Sequence, residues 1–97
     1  MARPGLLPAD ELERRLAALQ GWSREGGTLR RTFRHADFRA AVAFVCRVAD
    51  LAEGLDHHPA IDIRYDEVTL TLSTHSAGGL TALDFELAAG ADRVAAG

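Results

Sequence analysis

Ile61-Asp62-Ile63-Arg64-Tyr65-Asp66-Glu67-Val68-Thr69-Leu70-Thr71-Leu72 decides the fold. Ile61, Ile63 and Tyr65 alternate with Asp62 and Arg64, and Val68, Leu70 and Leu72 alternate with Thr69 and Thr71. A period of two puts successive side chains on opposite faces of an extended chain. The segment predicts two amphipathic strands joined by a tight turn near Asp66-Glu67, each with one buried and one solvated face.

Working outward, Asp56-His57-His58-Pro59 precedes the first of these strands and Ser73-Thr74-His75 follows the second. In a hairpin the start of one strand meets the end of the other, so residues 57, 58 and 75 are expected to converge. Upstream lies the longest helical pattern, opened by Asp37 as N-cap and running to about Gly54. Phe38, Ala41, Val42, Val45, Val48, Ala49, Ala52 and Leu55 recur along it and predict its core face. Phe44 and Leu51 fall off the centre of that stripe, which predicts a second buried contact, either between subunits or under a neighbouring loop. Cys46, within the same pattern, reads as a small core residue rather than a nucleophile.

At the N-terminal end, Pro8-Ala9-Asp10-Glu11 opens a helix whose stripe is Leu12, Leu16 and Leu19, with Gly21 as its stop. Trp22 to Glu25 and Thr28 to Phe33 flank Gly26-Gly27, a two-residue hairpin signal. At the other end, after Gly78-Gly79, Thr81 and Asp84 have the spacing of a capping box and open a last helix to about Val94. Gly90 falls inside it, where glycine costs about 1 kcal/mol relative to alanine. The order αββαββα predicts an α+β domain: a four-stranded antiparallel sheet with three helices packed on one face.

Composition bounds the function. With 97 residues, 47% apolar and 26% charged, the chain is expected to be one soluble domain. A net charge of −3 argues against a dedicated nucleic-acid or anionic-membrane surface. No apolar run is long enough to span a membrane, and Met1 to Pro8 lacks the pattern of an export signal; a cytoplasmic location is expected. All eleven basic residues are arginine, which reads as codon bias rather than as a recognition patch.

Three of the four histidines therefore gather at one end of the sheet, with Glu53 in the last turn of the long helix and Asp84 in the first turn of the last one. Three His with a carboxylate is a zinc ligand set. Adjacent His57 and His58 give poor bite geometry, however, and neither an i,i+4 His pair nor a Cys pair is present. The competing reading is general acid–base chemistry without a metal. Imidazole, with an unperturbed pKa of about 6.5, gives and takes protons near neutrality, and a neighbouring carboxylate fixes its tautomer. His35 reads as a surface residue without a role.

Glu53-Gly54-Leu55-Asp56-His57-His58-Pro59, Leu72-Ser73-Thr74-His75, Gly79-Leu80-Thr81 and Asp84 closely resemble the pterin-4a-carbinolamine dehydratase family. Trp22, Phe33, Asp37-Phe38 and Arg47-Val48-Ala49 also match its pattern, so the resemblance covers about residues 6 to 94 of a single domain, 1 to 97. It implies a hydro-lyase that converts 4a-hydroxytetrahydrobiopterin to quinonoid dihydropterin and water, in tetrahydrobiopterin recycling. By the resemblance, His57, His58 and His75 are the essential histidines and Glu53 and Asp84 their supporting acids, with His57 and Glu53 expected as one acid–base unit and His58 and His75 expected to bind and polarise the pterin from the other side. Asp56, His57, His58, Ser73, Thr74, His75 and Ser76 are the implied substrate-contacting residues, with no metal and no cofactor. The implied assembly is a homodimer or homotetramer. The alternatives are action on another pterin, as in molybdopterin metabolism, and a non-enzymatic role as dimerisation cofactor of a transcription factor.

Overall fold

A computed structural model describes residues 4–97. Its elements are α1 (Ala9–Ala18), β1 (Ser23–Glu25), β2 (Thr28–Arg34), α2 (Phe38–Leu55), β3 (Ala60–Arg64), β4 (Glu67–Leu72) and α3 (Ala82–Ala96), with a single 3-10 turn at His75–Ala77. The αββαββα order is the expected one. The strands form one antiparallel sheet in the order β1-β2-β4-β3. Gly26, at φ 57°, supplies the left-handed backbone that the two-residue β1–β2 turn requires. The β3–β4 turn lies at Tyr65-Asp66, one residue before its expected place, with Tyr65 at φ 53°.

The α1 residue Leu12 and all of Leu29, Phe33, Val68, Leu70 and Leu72 from the sheet join Phe44, Val48, Phe85, Leu87 and Ala91 in one apolar cluster, so the three helices share one face of the sheet. The opposite face is polar, with Thr32 and Thr69 hydroxyls 2.8 Å apart and Arg34 bonded to Glu67 at 2.7 Å. The Glu67 carboxylate holds the exposed Arg34 guanidinium above its ordinary pKa.

Five expectations are corrected by packing. On α2 the residues turned inward are Ala41, Phe44, Val48 and Ala52. Phe44 is fully buried against Phe33, ring centroids 4.8 Å apart, whereas Phe38 is 52% exposed and Val42 and Ala49 lie outside the core. Phe44 is thus a core residue and not a subunit contact. Cys46, on the same outer side of α2, is exposed. β3 has no buried face, because it is the sheet edge and Ile61 and Ile63 remain over a third exposed. His35 is half-buried, its ring stacked on Phe44 at 4.7 Å.

α3 runs unbroken through Gly90, and the reason is steric. A Cβ there would meet Leu51 Cδ1 at 3.1 Å, so the glycine lets α3 approach α2. α3 is also tied to the first hairpin. The Trp22 indole N–H donates to Asp92 at 2.9 Å, and Arg31, stacked over Phe33, donates to the same carboxylate at 2.8 Å.

Candidate active site

Asp37 caps α2 by accepting the Ala40 N–H, as expected, and the other end of α2 builds the site. Asp56 closes the helix in the left-handed region, at φ 49° and ψ 44°. The Asp56 N–H bonds to the Glu53 carbonyl and the His57 N–H to the Ala52 carbonyl, which is the Schellman pattern. Glycine usually fills that position; aspartate is among the few other residues that tolerate it.

This reversal decides where each histidine goes. His57 turns inward, 5% exposed, and its Nε2 lies 2.6 Å from Asp84 Oδ1. His58 turns outward and its Nε2 lies 2.5 Å from Glu53 Oε2 on the exposed side of α2. The expected pairing of His57 with Glu53 is therefore replaced by two others, His57 with Asp84 and His58 with Glu53. An i,i+4 pairing would need the helix to continue, and it does not.

Asp84 reaches His57 because the capping box forms. Thr81 accepts the Leu83 N–H, and the Thr81 N–H donates back to Asp84 Oδ2 at 2.9 Å. The Thr74 hydroxyl donates to the same oxygen at 2.7 Å. Asp84 has no exposed surface, and no Arg lies against it in this network. Its charge is compensated by oriented donors and by the positive end of the α3 dipole.

The other wall is the segment after β4. Thr74 and Gly79 form a bridge around the His75–Ala77 turn, with the Thr74 N–H on the Gly79 carbonyl at 2.8 Å. Gly78, at φ 79°, closes that turn. The Ser73 hydroxyl donates to the Gly27 carbonyl at 2.9 Å, so the first hairpin props this loop from behind.

β3 and β4 pair with Ala60 opposite Thr71, which brings the two histidine segments to one end of the sheet. Asp56, His57, His58, Ser73, Thr74, His75 and Ser76 line a shallow cavity of about 410 Å³ there, large enough for a small heterocycle. The cavity gathers all three candidate histidines; Glu53 and Asp84 stand behind it, each on one imidazole. Thr74 is almost fully buried and its hydroxyl faces Asp84, while His75 is exposed. Among the described residues, no three His, Cys, Asp or Glu side chains are grouped as a metal ligand set, and no helix is long and apolar enough to cross a membrane. The hydroxyl of Thr81 is the part of this assembly that sequence reading passed over. Its spacing to Asp84 announced a helix cap, and nothing in the sequence tied the cap to a histidine.

A relative from Roseiflexus castenholzii, provisionally named a pterin-4-alpha-carbinolamine dehydratase, is 55% identical over 89 residues, spanning 92% of this chain and 96% of its own. One of the same provisional name from Nocardia farcinica is 49% identical over 90 residues, 93% of this chain and 95% of its own. A solved structure described as a transcriptional coactivator/pterin dehydratase from Brucella melitensis superposes with a TM-score of 0.88 at 37% identity, covering 92% of this chain and 97% of that one. The family model for pterin 4 alpha carbinolamine dehydratase matches residues 5–94, and the chain belongs to that family.

Proposed function

We propose that the protein dehydrates 4a-hydroxytetrahydrobiopterin to quinonoid dihydropterin and water, in tetrahydrobiopterin recycling, by histidine acid–base catalysis without metal or cofactor. The observation that carries this reading is the single cavity holding His57, His58 and His75, with a carboxylate on two of the three. The reaction breaks the C4a–O bond and forms a C4a–N5 double bond. One proton must reach the departing hydroxyl and one must leave N5. Two carboxylate-oriented imidazoles suit that exchange, and positioned groups of this kind typically contribute about 10²- to 10⁴-fold each.

His58, paired with Glu53 at the surface, exchanges its proton with solvent between turnovers. His57, held by buried Asp84, keeps a fixed orientation, and His75 binds and polarises the pterin. Asp56, Ser73, Thr74 and Ser76 contact the substrate through the cavity wall. The enzyme acts in the cytoplasm as a homodimer or homotetramer.

The test is stopped-flow dehydration of authentic 4a-hydroxytetrahydrobiopterin at catalytic protein concentration, with and without chelator. The expected result is an acceleration that chelation leaves unchanged. No acceleration over the spontaneous rate would remove this reading in favour of another pterin substrate. A binding role as dimerisation cofactor of a transcription factor is the reading from another class. It draws on the description of the Brucella melitensis relative as a transcriptional coactivator and on the exposed α2 side chains Phe38 and Val42. Its distinguishing result is normal dehydration in a Phe38→Ala variant that no longer supports such a partner.

A further inference from the structure

We propose that Thr81, which does not line the cavity, is a positioning residue for His57. Its hydroxyl proton, passed through Thr74 to Asp84, fixes which ring nitrogen of His57 is protonated. The effect on turnover rests on the acid–base reading above; the proton position does not.

The direction of the chain follows from proton counting. A threonine hydroxyl has one proton to donate. Thr74 gives its proton to Asp84 Oδ2 at 2.7 Å. The 2.7 Å contact between the Thr74 and Thr81 hydroxyls must then be donated by Thr81. The sequence of donors is Thr81 O–H to Thr74 O–H to Asp84 Oδ2, and successive hydrogen bonds polarise one another. The Thr81 N–H also donates to Oδ2, so that oxygen is occupied by two donors. Oδ1 is left to face His57 Nε2 at 2.6 Å. A carboxylate only accepts, so the proton on that line belongs to Nε2, and in the neutral ring Nδ1 is then the acceptor nitrogen. This proton position is assigned from the network.

Helix capping alone does not require the arrangement. The cap uses a lone pair of Thr81, which accepts the Leu83 N–H at 3.2 Å. Its proton is surplus to the cap and is aimed at Thr74. All three side chains, Thr74, Thr81 and Asp84, are buried, so no solvent competes for these bonds. One residue thus serves the start of α3 with its lone pair and the site with its proton.

The experiment uses the full chain labelled with 15N at histidine, and compares wild type with Thr81→Ser, Thr81→Val and Thr74→Val. His57 is assigned by the signal lost in His57→Ala. Long-range 1H–15N spectra report which ring nitrogen is protonated, and stopped-flow dehydration reports kcat and KM. Wild type and Thr81→Ser are expected to carry the His57 proton on Nε2 with similar kcat. In Thr81→Val and Thr74→Val the His57 signals move toward a mixture of tautomers. There kcat falls roughly tenfold or more, as Thr74→Val loses a hydrogen bond to a charged group and Thr81→Val loses the bond that polarises it, and KM is little changed in Thr81→Val, whose residue lies outside the cavity. Thr74→Val leaves the α3 cap whole, so it decides the matter if Thr81→Val does not fold. Wild-type His57 signals in the folded valine variants overturn the proposal, as does a wild-type proton on Nδ1. If the wild type does not dehydrate the carbinolamine, the assigned function fails while the spectra still decide the relay.

Discussion

Asp84→Asn separates the two duties of the buried carboxylate. In the wild type Oδ2 accepts from the Thr81 N–H and the Thr74 hydroxyl, and Oδ1 accepts from His57. Asparagine offers one acceptor and one NH₂ group. With its carbonyl at the Oδ2 position, both threonine donors keep an acceptor and the NH₂ faces His57. The opposite orientation would set NH₂ against two donors at 2.9 and 2.7 Å, so the first is adopted. His57 Nε2 must then accept, and the ring proton moves to Nδ1. Hydrogen bonds to a charged acceptor contribute about 1.5–3 kcal/mol, and neutral ones about 0.5–1.5 kcal/mol. Three weakened bonds therefore cost roughly 3 kcal/mol, and relief of a buried charge offsets part of this. A net loss of about 1–2 kcal/mol lowers Tm by about 4–8 °C per kcal/mol in a domain of this size. Turnover falls much further, by about 10²- to 10⁴-fold, because the imidazole presents the wrong nitrogen. Thermal unfolding by circular dichroism reads the first effect, and stopped-flow dehydration with histidine 15N spectra reads the second. A variant with wild-type turnover, or with the His57 proton still on Nε2, would refute the reasoning.

Burial separates the histidines. His57→Ala and His75→Ala each reduce dehydration by about 10²- to 10⁴-fold. Only the first also strips the partner from buried Asp84, at a cost of about 3 kcal/mol or more; exposed His75 costs no more than about 0.5 kcal/mol. Equal melting temperatures for the two variants would contradict the inward turn of His57. Phe44→Ala, at a fully buried ring, is expected to lose about 3–5 kcal/mol in urea titrations at any protein concentration. A loss that shrinks on dilution to monomer would return Phe44 to a subunit contact. Gly90→Val, crowding Leu51, costs about 1–3 kcal/mol, whereas in Gly90→Ala the helix-propensity gain of about 1 kcal/mol is opposed by the same contact and Tm changes little.

The parts of the fold legible in the sequence are those set by local chemistry. Gly26-Gly27, Asp37 and the Thr81–Asp84 spacing each meet a backbone requirement within three or four residues, and each forms as expected. Period two in residues 61–72 gave the hairpin, and the hairpin register brought residues 57, 58 and 75 together. What periodicity could not tell was which part of a wide apolar surface on α2 faces the sheet. The expected face held Ala41, Val48 and Ala52, which are buried, together with Phe38, Val42 and Ala49, which are not, and it left out Phe44, which packs on Phe33 across the core. The edge status of β3 was equally out of reach. Alternation marks two faces, but strand order decides whether anything covers them.

The pairing of acids with histidines turns on one backbone position. Read as helix, Glu53 and His57 are four apart and share a face. Asp56 instead takes a left-handed conformation, uncommon outside glycine. From there the chain doubles back: the His57 N–H returns to the Ala52 carbonyl, the ring of His57 enters the space above α3, and His58 emerges beside Glu53. Had α2 gone on one more turn, His57 would share a face with Glu53. The left-handed Asp56 distributes one carboxylate to each histidine, one pair buried and one wet. With this reversal between it and the helix, the adjacent His-His pair becomes two separately oriented imidazoles at the wall of one cavity.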